Sequence, residues 1–187
     1  MENNSTRPLA AGLTILGGLA RLAQNLNFAP VGALSLFAGA RLRGWRAYLL
    51  PIALMAATDP LVCLVYGYSL RDAYSFATPF VYASLLIGVW IGSRWLRGSA
   101  NPVRIGAAAG ASSLQFFLIT NFGVWLRFPT TYAHNLAGLA SCYVAGIPFY
   151  GRTLAADLTY SAALFGLHAW LSRTVAPSER VAPSGAA

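Results

Sequence analysis

The feature that most limits this chain is a succession of apolar runs cut only by short turns that carry arginine. The runs cover 8–20, 28–40, 45–68, 76–91, 105–126, 136–149 and 154–171. A helix needs about 20 predominantly apolar residues to cross a bilayer. Four of the runs fit or approach that length, 8–20 and 28–40 read as short spans, and 136–149 has the length of an interfacial or re-entrant segment. Only 10% of the 187 residues are charged and 57% are hydrophobic, whereas a soluble domain carries about 25% charge. Such a chain cannot cover a water-facing surface. The expected fold is an all-α integral membrane protein with six transmembrane helices and an outer re-entrant segment at about 136–149. It forms one bundle domain over 8–173, between a polar start at 1–7 and a disordered, Pro/Ser/Gly/Ala-rich tail at 174–187.

The arginines set the expected orientation. The net charge is +8 and every one of the 13 basic residues is arginine. They stand singly or in small groups between apolar runs, the pattern of topology signals rather than of a nucleic-acid surface. With six spans and both termini cytoplasmic, the inner side receives Arg7, Arg41, Arg43, Arg46, Arg94, Arg97, Arg104, Arg173 and Arg180. The outer side receives Arg21, Arg71, Arg127 and Arg152, a split of nine against four. If 136–149 crossed as well, Arg152 and the tail arginines would change sides and the split would fall to eight against five. The reading is therefore a multi-pass protein of a cell's inner (plasma) membrane, with the lipid bilayer as its first partner. The start of the chain also shares the pattern of a secretory signal peptide, but the next apolar run begins seven residues later and is itself short.

The stretch 142–160, CYVAGIPFYGRTLAADLTY, carries the most unusual chemistry. Ile147-Pro148 interrupts an apolar run, Arg152 and Asp157 stand five residues apart, and a hydrophobic segment resumes. Polar and ionisable groups at membrane depth are costly and face a protein interior or a cavity. The expectation is that Pro148 ends a half-inserted flap and that Asp157 lies in the first turns of the last span. Asp59, Asn121, and the turn carrying Asn25 and Asn27 fall at the same outer level. Those groups, with Trp125, Tyr143, Tyr150, Arg152 and Tyr160, define a candidate ligand cavity open to the outer face, mostly apolar and aromatic with a few orienting polar groups. The competing reading is that Asp59 and Asp157 pair with Arg71, Arg152 or backbone N–H groups and lock the bundle, while Asn121 bonds between helices.

Other chemistry finds no foothold. Cys63 and Cys142 lie in or beside apolar segments and read as small buried hydrophobes, linked only if the fold joins them. His134 and His168 fall at opposite depths, so no two-histidine metal site is expected. There is no HExxH, GxSxG, Walker or GxGxxG pattern, and no catalytic residue, cofactor or metal site is assigned.

The segments NFAPVGALSLFAGA at 27–40, QFFLITNFGVWL at 115–126 and GIPFYGRTLAADLTYSAALFG at 146–166 resemble a family of uncharacterised small bacterial integral membrane proteins, over about residues 9–172. In size, helix number and polar outer level the chain is also similar to the substrate-binding S components of energy-coupling factor transporters. That likeness implies capture of a vitamin or related micronutrient from outside, and association with a coupling subunit and two ATPases. Small residues on the first helices (Gly12, Gly17 and Gly18, or Ala29 and Ala33) would then meet the coupling subunit. The N-terminal Met-His arrangement of nickel and cobalt S components is absent, so metal uptake is not implied. Two further functions stand beside small-molecule capture: a structural or assembly subunit of a larger membrane complex, and a membrane-embedded enzyme acting on a lipid-like substrate.

Overall fold

A computed structural model describes residues 7–20, 22 and 30–175. Asn25 and Asn27, most of the polar start and the tail from 176 lie outside the described residues. Those described form six α-helices and no strand: α1 (Arg7–Ala20), α2 (Val31–Arg41), α3 (Arg46–Tyr66), α4 (Thr78–Trp95), α5 (Pro102–Arg127) and α6 (Leu136–Val175). A short 3-10 strap, Leu70–Tyr74, joins α3 to α4.

The bundle is built around α2. Its sequence, VGALSLFAGAR, has no polar face, and a helix that is apolar all round belongs in an interior. Every residue from Ala33 to Arg41 is buried, and all five other helices pack against it. Two glycines make the approach of α4 close. A Cβ at Gly39 would collide with the Val89 carbonyl, and one at Gly92 with the Leu36 carbonyl. Small residues at such a contact let the two backbones meet closely. Below them, Phe37 meets Phe165 and His168 edge-on, with ring centroids 5.2 and 5.5 Å away.

Both ends of α2 are sealed by buried charge. At its C-terminus, Arg41 donates from Nη1 to the Leu96 carbonyl (3.2 Å) and from Nη2 to the Ser99 carbonyl (2.6 Å), with its guanidinium 4.9 Å from the Phe165 ring. At its N-terminus the carboxylate of Asp157 accepts from the Ala33 N–H. A cation at the C-terminus and an anion at the N-terminus both complement the helix dipole.

The structure corrects the expected flap. Residues 136–175 form one continuous 40-residue helix with Pro148 inside it, about 60 Å long at 1.5 Å per residue. Proline removes one backbone hydrogen bond and crowds the preceding turn, at a cost of about 3 kcal/mol in a helix interior. Here α5 runs alongside as a splint. Cys142, Tyr143, Gly146 and Tyr150 of α6 press against Phe117, Leu118 and Asn121 on α5, on both sides of the proline. Asn135 caps the helix start by accepting from the Gly138 N–H (2.9 Å). Asp157 consequently sits near the middle of α6 and opposite the middle of α5, instead of at the mouth of a last span.

Two helices, α3 and α5, are long and apolar enough to cross a membrane; α1 and α2 are shorter apolar helices. Only 28% of the apolar window of α3 or of α5 is buried within the bundle. Leu64, Val65, Leu118 and Phe122 on those helices, and Val144, Ile147, Phe149 and Trp170 on α6, stand exposed. Exposed apolar side chains in this number are what contact with a membrane or another protein would cover.

Candidate functional site

Asp59 shows how sequence places a site. It lies on α3 one residue before Pro60, and a proline within a helix leaves the carbonyl four residues earlier without its helical donor. That carbonyl belongs to Ala56, and the Tyr74 hydroxyl donates to it at 2.7 Å. The proline thus creates an acceptor, and the acceptor pins the strap that follows α3. Gly67, in the left-handed region at φ 72°, ends α3 and turns the chain toward that strap, with the Tyr68 N–H returning to the Cys63 carbonyl (2.8 Å).

Between α3, the strap and the start of α4 lies a pocket of about 390 Å³. Met55, Asp59, Val62 and Cys63 provide one wall at helical spacing, and Thr78, Val81 and Tyr82 provide the facing wall. Asp59 is the only charged residue among the described residues of the lining. Tyr82 donates its hydroxyl to Asp59 Oδ2 at 2.8 Å, and both residues are half-buried. An oriented carboxylate in an apolar, aromatic recess of this volume has the composition of a small-molecule site. It can accept hydrogen bonds from a cationic or NH-bearing group while the walls hold an apolar body.

The other expected site residues go elsewhere. Asn121 donates to the Phe117 carbonyl of its own helix (2.8 Å) and packs its side-chain oxygen where a Cβ at Gly146 would fall. The Tyr143 hydroxyl donates to the Leu118 carbonyl (2.9 Å), and the Tyr150 ring lies 5.0 Å from that of Phe117. Trp125 donates from Nε1 to the Ala133 carbonyl (2.9 Å), and its ring meets His134 at 4.9 Å. These four residues form a seam that holds α6 and its preceding loop to α5. Arg152 is exposed on α6, and Tyr160 is half-buried against the core.

Asp157 is 2% exposed. Its Oδ2 accepts a short hydrogen bond from Ser113, and its Oδ1 accepts from the Ala33 N–H at 3.1 Å. Pro30, at the N-cap of α2, makes no capping bond, so Asp157 acts as that cap from another helix. A Cβ on Gly32 would fall 2.5 Å from both carboxylate oxygens. Glycine there is what lets the carboxylate reach the helix end. Of the two readings open for Asp157, bonding to backbone N–H is the one its geometry matches.

Sequence reasoning missed Tyr82, Tyr74 and Ser113 as partners of these groups, while Gly32 reads from sequence as a point of close helix approach. The signal for Tyr74 was present, since Pro60 predicts an orphaned carbonyl at Ala56. Nothing in the sequence distinguishes Tyr82 or Ser113 from the other hydroxyl residues on neighbouring helices. Cys63 and Cys142 are both buried and free, and among the described residues no three His, Cys, Asp or Glu side chains come together as metal ligands.

Fold and site together define a helical bundle with a buried, charge-sealed central helix and a carboxylate pocket beside it. The chain belongs to a family of unknown function, DUF6580, whose model matches residues 1–180. No curated protein and no solved structure matches it.

Proposed function

We propose that this protein is a multi-pass membrane protein that captures a small molecule in the pocket carrying Asp59. The observation that carries the reading is the Asp59–Tyr82 pair in the wall of the 390 Å³ recess. The preferred ligand is vitamin- or micronutrient-sized, with a cationic or hydrogen-bond-donating group for the carboxylate and an apolar body for Met55, Val62 and Val81. Membrane embedding is supported by the two span-length helices and by apolar side chains left facing outward. With α6 counted as a single crossing, Arg152 falls within the helix and the loop and terminal arginines split nine against three, which favours an inner-membrane protein with cytoplasmic termini. Hand-over of the ligand to a coupling subunit and ATPases remains the transport form of this proposal, supported by size and helix number.

Purified protein examined by native mass spectrometry should carry or take up a small molecule that Asp59→Asn loses while the fold is kept. Equal occupancy in wild type and Asp59→Asn would sink the assignment. A second reading, a structural or assembly subunit, is favoured by Asp157, whose carboxylate is engaged in holding α2. It is distinguished by stable co-purification with other membrane subunits and by the absence of a ligand.

A further inference from the structure

At the opposite end of α3 from Asp59, the first turn of α1 and the first two turns of α3 diverge around a groove of about 500 Å³. Its lining carries Arg7, Arg43 and Arg46 together with apolar Leu42 and Leu50, which are buried or half-buried, and the exposed Leu49 and Ala53 along α3. Trp45 stands at the mouth, 67% exposed, with the Arg46 guanidinium 5.8 Å from its ring. Neither Asp59 nor Asp157 neutralises these arginines. Asp59 lies thirteen residues along α3, about 20 Å away, and bonds to Tyr82; Asp157 is held at the other end of α2.

We infer that this groove seats one anionic phospholipid of the cytoplasmic leaflet. Guanidinium groups bind phosphate through paired, charge-assisted hydrogen bonds, and basic pockets between membrane helices on that side recognise anionic headgroups. The shape asks for both halves of such a molecule. The three arginines of the lining supply guanidinium groups for a phosphate, and its apolar residues take the start of an acyl chain. Trp45, an amphipathic ring at headgroup depth, closes the side. The inference rests on the membrane embedding proposed above and not on ligand capture at Asp59, so the two fail separately.

Native mass spectrometry of the full-length protein in detergent, titrated with phosphatidylglycerol or phosphatidylcholine of matched chains, tests it. The expected result is retention of one phosphatidylglycerol at least tenfold more strongly than phosphatidylcholine. Arg43→Gln/Arg46→Gln should lower that retention about tenfold. Ala53→Phe, which fills the groove and keeps every charge, should do the same, whereas Arg104→Gln/Arg173→Gln, which removes two exposed charges outside the groove lining, should change it less than twofold. Glycerophosphoglycerol, the headgroup without chains, should compete poorly. Equal retention of the two lipids overturns the inference, as does equal loss in the two arginine pairs or no effect of Ala53→Phe. If the Arg43/Arg46 variant does not fold, the wild-type lipid comparison and Ala53→Phe decide the matter.

Discussion

Asp59 and Asp157 look alike in the sequence, each an aspartate inside an apolar run, and the structure gives them different surroundings. Asp157 is enclosed between α2, α5 and α6, where its oxygens meet a backbone N–H and a serine hydroxyl. Asp59 is half-buried, oriented by Tyr82, and borders open volume. A carboxylate whose bonds all run to the protein framework is built into the fold. One that lines a cavity is open to a ligand, the role proposed for Asp59. Both hydrogen-bond within the protein; burial and the open volume beside Asp59 are what separate them.

The sharpest way to break the comparison is Asp157→Ala. It strands the Ala33 N–H and the Ser113 hydroxyl, two buried donors worth about 1–3 kcal/mol each when left unpaired. Destabilisation of about 3–5 kcal/mol is expected by chemical or thermal unfolding in detergent. A loss below about 1 kcal/mol would show that the clasp is not structural. Gly32→Ala should cost about 1–3 kcal/mol by overpacking against the same carboxylate. Combined with Asp157→Ala, its own penalty should shrink, because the oxygens it strikes are gone. Strict additivity in that double-mutant cycle would show that the close approach carries no energy.

Asp59→Asn should behave in the reverse sense. Its stability should stay within about 1 kcal/mol of wild type, while affinity for the co-purified small molecule drops tenfold or more. Tyr82→Phe should follow with a smaller loss of affinity, since it removes the group that orients the carboxylate and leaves the charge. If Asp59→Asn unfolds the protein as severely as Asp157→Ala, the distinction between the two aspartates collapses.

Much of the helical framework was legible because it rests on composition along the chain. The runs at 45–68, 76–91 and 105–126 correspond to α3, α4 and α5 to within a few residues, and Asn101 and Asn135 cap the helices that follow their loops. The continuity of α6 was not legible. Pro148 is a strong local breaker, and its tolerance depends on the seam with α5, formed by residues more than twenty positions away in sequence. The site was half legible. The sequence marks Asp59 and Asp157 as unusual, but their partners Tyr82, Ser113 and Ala33 are common residue types selected by three-dimensional proximity. A shared outer level suggested a shared cavity; α2, passing between the helices, gives each aspartate its own surroundings instead.

The smallest expected effect tests how the Asp59 pocket is held shut on one side. Tyr74→Phe removes the donor to the Ala56 carbonyl and should cost about 1 kcal/mol, with looser strap residues and faster ligand release. The loss arises only because Pro60 cannot supply the helical donor. Pro60→Ala would restore an N–H four residues beyond Ala56, so Tyr74→Phe made in that background should cost much less. The cycle therefore predicts a coupling of about 0.5–1 kcal/mol between two residues fourteen positions apart that are linked through a single carbonyl. If Tyr74→Phe costs the same with and without Pro60, the strap is held by packing alone, and the proline beside Asp59 has no part in shaping the pocket.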